Sequence, residues 1–311
     1  MKSITEIKNF EGKKVFVRTD WNIPDLEDTD RLDTSIPTIK YILDNGGKVV
    51  VASHLTEGGE SLDPIIKFAR SKYPILEDVE ILENLRLNLG EEANSEEFAR
   101  ELASKADMYV NDAFSASHRS HASVVGVPKF LPSYAGLQFM EEYKHLAKAL
   151  DPEHPFLFIL GGAKFETKVP LVEKFLISAD DIFIGGALAG EAFQNKVIAN
   201  NPKVSFPVGD IAALDSNEET LEVLKSKIEK AKFILWNGPV GKYEDGYTEG
   251  TKRIAQMIAD SGATSIVGGG DTLAAIRELG IKDKFTFVSL AGGAMLDFLA
   301  DGNLVGIEAL G

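Results

Sequence analysis

The chain alternates short apolar runs with longer stretches in which apolar residues recur at helical spacing. Ten of the short runs are rich in Val, Ile and Phe and are bounded by turn residues, which predicts β-strands. They cover residues 14–19, 48–53, 79–82, 108–110, 156–160, 181–184, 204–207, 233–236, 265–267 and 285–289. The runs at 108–110, 156–160 and 233–236 are apolar throughout, which is typical of a parallel sheet that is buried on both faces.

The stretches between the runs carry start and stop signals for helices. Ser35 is expected to cap one helix, with Pro37 in its first turn and Gly46 near its end. Asn94 and Asp215 are each followed by Glu three residues later, which predicts two further helix starts. Helices that alternate with buried strands indicate an α/β fold.

The length of 311 residues suggests two domains, since domains usually have about 100–200 residues. A long helical pattern over residues 134–150 is followed by Asp151-Pro152, and we place the boundary there. We therefore predict two doubly wound, Rossmann-like domains with mostly parallel sheets, at 1–150 and 151–302, joined by a helical hinge.

Composition narrows the classes of function. Apolar residues make up 44% and charged residues 26%, which excludes a disordered chain. The chain has no Cys, which excludes disulfides and zinc–thiolate sites. The net charge of −15 disfavours nucleic acids and anionic membranes as partners.

Residues 1–10 lack the apolar core of a signal peptide, and no run reaches the roughly 18 apolar residues of a membrane helix. We expect a cytoplasmic monomer.

Arginine is distributed unevenly. The chain has eight arginines, of which six lie in the first 119 residues and none lies between 120 and 252. They are Arg18, Arg31, Arg70, Arg86, Arg100, Arg119, Arg253 and Arg277. Because Arg forms paired hydrogen bonds with phosphate and carboxylate, the first half is expected to bind a small, multiply charged anion.

Arg70 and Arg100 lie in helix patterns and are interpreted as surface residues. Arg86 and Arg119 follow strands, where a surface role and an anion-binding role are both open, and Arg18 lies inside a strand pattern and is interpreted as structural.

The second half has glycine-rich turns after its strands instead, at 161–162, 185–186 and 268–270. Such turns let backbone amides approach phosphate at a helix N-terminus, and three of them suggest a polyphosphate ligand. Asp271 follows the last turn, where it is either a helix cap or a ligand of Mg²⁺. Lys164 and Lys168 are four residues apart and are expected to share a helix face.

Several common motifs are absent from the sequence. It has no P-loop, no dinucleotide-binding fingerprint, no metalloprotease motif and no EF-hand loop. We interpret His54, His118 and His121 as partners of anions or hydrogen bonds rather than as metal ligands.

Nine motifs, in order along nearly the whole chain, resemble those of the phosphoglycerate kinase family. They are VRTDWNIP at 17–24, Arg31 before IPTI at 36–39, SHL at 53–55, LENLR at 82–86, YVNDAF at 109–114, HRSHAS at 118–123, LGGAK at 160–164, LWNGPVG at 235–241 and GGGDT at 268–272. The resemblance implies reversible transfer of the γ-phosphoryl of ATP to the carboxylate of 3-phosphoglycerate, which yields 1,3-bisphosphoglycerate and ADP. It also implies closure about the helical connection at 134–150, and packing of residues 303–311 on the first domain.

The resemblance assigns three groups of site residues. The 3-phosphoglycerate ligands would be Asp20, Asn22, Arg31, His54, Arg86 and Arg119. The nucleotide ligands would be Gly162, Ala163, Lys168, Gly186, Asn237, Pro239, Glu244, Gly269, Gly270, Asp271 and Thr272, with Mg²⁺ on Asp271. The groups at the transferred phosphoryl would be Arg31, Lys164, Lys168, Gly292 and Gly293.

The chain also departs from the family pattern. Thr56-Glu57-Gly58 stands where the family usually has Gly-Arg-Pro, so an acid replaces an arginine on the substrate side. Thr167 stands where the family frequently has Asp, and the region 208–232 is shorter than usual. Two other functions therefore stay open. One is a nucleotide-binding relative that acts through partners, and the other is a kinase for a different small acid.

Overall fold

The structure is a computed structural model that describes residues 1–23, 26, 28–56 and 60–311. Its chain divides into two compact units. Unit 1 comprises residues 1–144 together with 303–311, and unit 2 comprises residues 145–302. The division falls six residues before the position predicted from Asp151-Pro152.

Unit 1 is built on a parallel sheet in the order β3-β2-β1-β4-β5. Its strands are β1 Lys14–Arg18, β2 Lys48–Ala52, β3 Glu80–Ile81, β4 Met108–Asn111 and β5 Ser133–Ala135. The edge strand β5 is not predicted by the sequence pattern, which treats residues 134–150 as one helix. The reason is that a three-residue strand is too short to show a period, and the helix begins directly after it.

The helices of the amino-terminal part are α1 Asp30–Asp44, α2 Asp63–Lys72, α3 Leu89–Glu92, α4 Glu96–Ala103 and α5 Leu137–Lys148. The expectation that Ser35 caps α1 is wrong, because the helix begins five residues earlier. Ser35 is instead buried inside α1, where its hydroxyl accepts a hydrogen bond from the Trp21 indole at 2.8 Å. The predicted helix start at Asn94 is likewise displaced, since Ser95 caps α4 through the amide of Phe98.

Unit 2 has a six-stranded parallel sheet in the order β11-β10-β9-β6-β7-β8. Its strands are β6 Phe156–Leu160, β7 Asp181–Ile184, β8 Val204–Ser205, β9 Phe233–Asn237, β10 Thr264–Gly268 and β11 Phe287–Val288. Its helices are α6 Val169–Ser178, α7 Ala189–Gln194, α8 Lys196–Ala199, α9 Glu218–Ile228, α10 Glu249–Ser261, α11 Gly270–Glu278 and α12 Gly293–Asp301. The predicted helix start at Asp215 is wrong, because Asn217 caps α9.

The carboxyl-terminal segment belongs to unit 1 although it follows unit 2 in the chain. Its helix, α13 Val305–Ala309, lies against the turn after β4. The Gly306 amide donates to the Ser117 carbonyl at 2.8 Å, and a Cβ at Gly306 would lie 2.5 Å from the Cβ of Ser117. Glycine at this position therefore permits close packing of the helix on the turn.

The central strands are buried on both faces, as the apolar runs predict. Every residue of β6 and β9 is buried. Helices alternate with these parallel strands along the chain, so the prediction of two α/β units with parallel sheets is confirmed. Within the described ranges, no helix combines the length and the apolar character that crossing a membrane requires.

The core of unit 2 provides a test of this packing. Phe158 is fully buried, and its ring centroid lies 4.8 Å from that of Phe175. We expect Phe158→Ala to lower the free energy of unfolding by about 3–5 kcal/mol, because the mutation leaves a cavity in a close-packed core. Ile177→Ala, at a position that is 84% exposed, is the control and is expected to change it by less than about 0.5 kcal/mol. Equal effects of the two substitutions in urea unfolding would contradict this description of the core.

Candidate functional site

The predicted anion-binding residues of unit 1 lie where its central strands end. Asp20 follows β1, His54 follows β2, and the turn with Ser115 follows β4. Because parallel strands all end at the same edge of a sheet, these three loops converge. The Ser115 hydroxyl donates a hydrogen bond to the Asp20 carboxylate, which links the loop after β4 to the loop after β1.

Asp20 and Arg31 form an ion pair at this edge, with Arg31 Nη1 3.1 Å from Asp20 Oδ2. The same guanidinium nitrogen donates to the Asn22 carbonyl at 3.2 Å. Burial alone would raise the pKa of Asp20, but the charge of Arg31 and the hydrogen bond from Ser115 hold it below its usual value. Asp20 is therefore an anion at neutral pH and orients Arg31.

Arg86 lies beside the loop that follows β2. Its Nη1 donates to the Thr56 carbonyl at 2.8 Å, and its Nε lies 3.2 Å from Glu92 Oε1. Thr56 in turn donates its amide to Asn22 Oδ1 at 3.0 Å. These contacts connect Arg86 and Asn22 through a single loop. Glu57, where the family usually has arginine, lies outside the described residues.

His54 completes a basic cluster with Arg86 and Arg119. Burial lowers the pKa of His54 well below its ordinary value, and the positive charges of Arg18, Arg86 and Arg119 contribute in the same direction. Burial and the charge of Arg86 also lower the pKa of Arg119. The six residues predicted to bind 3-phosphoglycerate are thus close enough to one another to interact. Cations crowded in this way favour a multiply charged anion.

Sequence reasoning misses several members of this cluster. Arg18 is interpreted there as structural, yet its guanidinium donates to His54 Nδ1 at 3.1 Å. Ser115 is not identified at all, and Thr56 is noted only as a departure from the family pattern. In the sequence, only Arg18 signals that the cluster extends further. A charged residue inside an apolar strand run is rarely buried without a specific partner. His118 accepts a hydrogen bond from Arg119 Nε at 3.2 Å, in line with the role in hydrogen bonding expected for it.

The glycine turns of unit 2 interlock through their backbones. The Gly162 amide donates to the Pro239 carbonyl at 2.7 Å, and the Gly186 amide donates to the Val240 carbonyl at 3.1 Å. A Cβ at Gly161 would lie 2.1 Å from the Pro239 carbonyl oxygen, and one at Gly238 would lie 2.4 Å from the Gly161 carbonyl oxygen. Glycine is required at these positions because two backbones approach each other there.

Lys164 and Lys168 do not share a helix face, contrary to the prediction. They lie in a single turn before α6, where Lys164 has the left-handed backbone conformation with φ of 60°. Lys164 is exposed, whereas Lys168 is buried and donates its Nζ to the Gly161 carbonyl at 2.7 Å. Burial lowers the pKa of Lys168 to about 8. Lys168 is therefore a buried cation held against the first glycine turn.

A second group of predicted nucleotide ligands lies at the start of α11. Gly269 has φ of 100°, and Gly270 is the first residue of the helix. Asp271 is half-buried in the first turn, and burial and the charge of Glu244 raise its pKa. The Thr272 hydroxyl is buried and makes no hydrogen bond in the part of the chain that the structure describes.

A carboxylate whose pKa is raised by burial and by a neighbouring acid, as that of Asp271 is, is a suitable place for a cation. No group of three or more His, Asp or Glu residues able to hold a metal occurs in the described ranges. One carboxylate is nevertheless sufficient for Mg²⁺ when substrate phosphates supply further oxygens. Asp271 therefore fits a Mg²⁺ ion that is shared with a bound nucleotide.

The remaining nucleotide-side residues lie around these turns. Asn237 ends β9 and is buried, with its Nδ2 3.6 Å from the sulfur of Met295 in α12. Gly292 and Gly293 form the start of that helix, and Gly292 has φ of 56°. Ala163 is exposed directly after the first glycine turn.

A cavity of about 270 Å³ lies beside the second glycine turn. Its lining consists of Gly186, Ala187, Gly190, residues 211–214 and Lys242. The residues at 211–214 belong to the region that the sequence predicts to be shortened. The cavity is mostly apolar and slightly below the usual size of a small-molecule pocket, about 300–1,000 Å³. It is large enough for part of a ligand, such as a nucleotide base.

Comparison with known proteins identifies the family. The family model described as phosphoglycerate kinase matches residues 4–73, 65–198 and 191–302. A phosphoglycerate kinase of Finegoldia magna is 36% identical and is aligned over 97% of each chain. One of Dictyoglomus turgidum is 35% identical, over 99% of this chain and 98% of its own. The Finegoldia alignment spans 383 positions against 311 residues here, so at least 72 of its positions have no counterpart in this chain.

Solved structures of phosphoglycerate kinases have the same fold as this chain. The structure of phosphoglycerate kinase from Coxiella burnetii has a TM-score of 0.85 at 29% identity and covers 99% of this chain and 98% of its own. The phosphoglycerate kinase from Pyrococcus horikoshii has a TM-score of 0.86 at 27% identity and covers 100% of this chain and 98% of its own. The basic cluster of unit 1 and the glycine turns of unit 2 thus occur in a chain whose sequence and fold both match one family over nearly its whole length. The chain belongs to the phosphoglycerate kinase family.

Proposed function

We propose that this protein transfers the γ-phosphoryl group of ATP reversibly to the carboxylate of 3-phosphoglycerate. The observation that carries this proposal is the basic cluster of unit 1, in which Arg31, Arg86 and Arg119 surround His54 and Asp20. A small acid with a carboxylate at one end and a phosphate at the other supplies the two negative groups that such a cluster binds. Membership of the phosphoglycerate kinase family supports the same substrate.

The reaction makes modest demands on the protein. A carboxylate of ordinary pKa is ionised at neutral pH, so no general base is needed. One carboxylate oxygen attacks the γ-phosphorus of ATP, and the bond to the β,γ-bridging oxygen breaks, which leaves ADP. Catalysis then consists of alignment and of neutralising the negative charge on the moving group.

We assign Arg31, Lys164 and Lys168 to that neutralisation, together with the backbone amides at Gly292 and Gly293. Arg31 is permanently charged and can donate to two oxygens at once. Arg86, Arg119, His54 and Asn22 hold the phosphate end and the hydroxyl of the acid. On the nucleotide side, the phosphates lie against the turns with Gly162, Ala163 and Gly186 and against the start of α11. The base occupies the apolar cavity between the second glycine turn and residues 211–214.

Mg²⁺ would be held by Asp271 and the nucleotide phosphates, close to Glu244. When bound, it supplies positive charge that offsets the charge of the phosphates. The chain's own contribution is the half-buried Asp271 carboxylate at the N-terminus of α11.

The metal assignment predicts the effect of Asp271→Asn. The variant is expected to fold normally, since the N-cap of α11 is Gly269 and Asn has nearly the same size and shape as Asp. Its requirement for Mg²⁺ should rise by at least about tenfold, the lower end of what even outer-shell changes cause at metal sites. Turnover at a series of Mg²⁺ concentrations measures this. Asp283→Asn, at an exposed acid of the same unit, is the control. Unchanged activity of Asp271→Asn at every Mg²⁺ concentration would overturn the assignment of Mg²⁺ to Asp271.

A coupled assay for ADP tests the function directly. We expect turnover with ATP and 3-phosphoglycerate together, and none with either alone. The Lys168→Met variant, purified in the same way, controls for contaminating kinases. Nucleotide binding without turnover would favour a relative that acts through partners. Turnover with another small acid, but not with 3-phosphoglycerate, would favour a different acceptor.

A further inference from the structure

Arg18 is a fully buried arginine at the end of β1 whose guanidinium contacts three different groups. Its Nε donates to Ser123 Oγ at 2.8 Å, and its Nη1 donates to the Thr19 carbonyl. Its Nη2 lies 3.1 Å from His54 Nδ1. A guanidinium has only N–H donors and no acceptor, so His54 Nδ1 must be the acceptor in this contact.

This contact determines where His54 carries its hydrogen. An imidazole that accepts at Nδ1 is neutral and bears its hydrogen on Nε2. The charged neighbours of His54 are Arg18, Arg86 and Arg119, which disfavour the imidazolium, and Asp20, which favours it. Burial adds to the effect of the three arginines, so that the pKa of His54 lies well below its ordinary value.

Arg18 is itself held in place by a buried acid. Glu91 is fully buried, and its carboxylate accepts from the Ser123 hydroxyl at 2.5 Å and from the Ser123 amide at 3.0 Å. The Tyr109 hydroxyl donates to the Ser123 carbonyl at 2.8 Å and fixes the backbone there. A buried guanidinium requires a compensating anion, and here Glu91 provides it through the serine.

We propose that Arg18, held by Ser123 and Glu91, is a positioning residue that fixes His54 as the Nε2–H tautomer. His54 then offers a hydrogen-bond donor to its ligand. This is the form that a carboxylate or phosphate oxygen requires, because such oxygens accept and do not donate. In the other tautomer, Nε2 would present a lone pair to the same anion. The inference rests on the proposed function only for the identity of that anion.

The tautomer is measured by ¹⁵N NMR of the histidine-labelled protein. The chain has five histidines, and the His54→Gln variant identifies the signals of His54. In the unaltered protein we expect an unprotonated Nδ1 and a protonated Nε2 for His54 throughout pH 6–8. A protonated Nδ1, or a mixture of the two tautomers, would overturn the proposal.

Two variants test whether Arg18 is the cause. Ser123→Ala removes the link between Arg18 and Glu91, which lets the guanidinium turn towards the acid and away from His54. Arg18→Lys keeps the positive charge, but a single ammonium group cannot replace the guanidinium, whose separate nitrogens contact Ser123 and His54 at the same time. We expect mixed tautomers of His54 in both. Ser35→Ala is the matched control, since Ser35 is also buried in unit 1 and also accepts a side-chain hydrogen bond.

Kinetics separate this inference from the proposed function. In Ser123→Ala, KM for 3-phosphoglycerate is expected to rise about two- to tenfold, the equivalent of one hydrogen bond, with KM for ATP unchanged. If His54 keeps the Nε2–H tautomer in a folded Ser123→Ala protein, the role of Arg18 is overturned. This test does not depend on Arg18→Lys, so it remains decisive if that variant fails to fold. Mixed tautomers with unchanged KM would support the role of Arg18 and overturn the assignment of His54 to the substrate.

Discussion

Arg31→Ala is expected to lower kcat by a factor on the order of 10³–10⁵, the range known for an arginine that neutralises charge in phosphoryl transfer. Arg31 is the arginine that pairs with Asp20, and we assign it to the transferred group. Charge on that group develops in the transition state, so its loss appears in kcat. Steady-state kinetics with 3-phosphoglycerate and ATP measure the effect, with folding checked by circular dichroism.

Arg86→Ala is expected to behave differently, with a raised KM for 3-phosphoglycerate and a much smaller change in kcat. We assign Arg86 to the distant phosphate, which carries the same charge in the ground state and in the transition state. Arg100→Ala is the control, since Arg100 is an exposed partner of Glu96 in α4. Near-normal kcat in Arg31→Ala would remove it from the reaction centre, and equal kcat losses in Arg31→Ala and Arg86→Ala would show that the two roles are not separate.

Lys168→Met is expected to lower kcat by a factor of about 10²–10³, comparable to the loss of one preorganised donor to a developing charge. Methionine matches the length of lysine and suits a buried position, so the fold should be retained. Lys174→Met is the matched control, because Lys174 also donates its Nζ to a backbone carbonyl, that of Ala300 at 3.0 Å. If the two variants have the same kcat, Lys168 has only a structural role.

The pH dependence of Lys168 provides a second measurement. Its pKa of about 8 means that the ammonium is charged at pH 7 and loses its proton as the pH rises through 8. The kcat/KM of the unaltered enzyme for ATP is therefore expected to fall above about pH 8. This alkaline fall should be absent in Lys168→Met and present in Lys174→Met. A flat profile up to pH 9 in the unaltered enzyme would contradict the deprotonation of Lys168 in this range.

The sheets of both units follow from local sequence. The runs at 156–160 and 181–184 coincide with β6 and β7, because their positions that are buried are all apolar. The family and its activity follow from motifs that contain several residues in a fixed order. β5 does not follow from the sequence, since a strand of three residues at the edge of a sheet has no period of its own.

Helix starts are predicted less well, and the reason is competition among adjacent polar residues. Asp215 has the expected Glu three residues later, but its carboxylate accepts instead from the amides of Ser216 and Gly250. Asn217 then caps α9. The choice between two suitable caps depends on whether α10 lies close enough to engage the first one, and this is a property of the tertiary structure.

The sequence by itself determined the parallel α/β fold, the glycine turns and the residue types that bind anions, because each depends on a local pattern or an ordered motif. Only the tertiary structure decided how these residues are used. Lys164 and Lys168 are adjacent in one turn, yet one is exposed and the other is buried against Gly161. Arg18 and His54 lie at the ends of neighbouring strands, and their hydrogen bond exists because β1 and β2 pair in parallel register. Burial, charge state and tautomer arise from contacts between distant parts of the chain, and no local pattern specifies them.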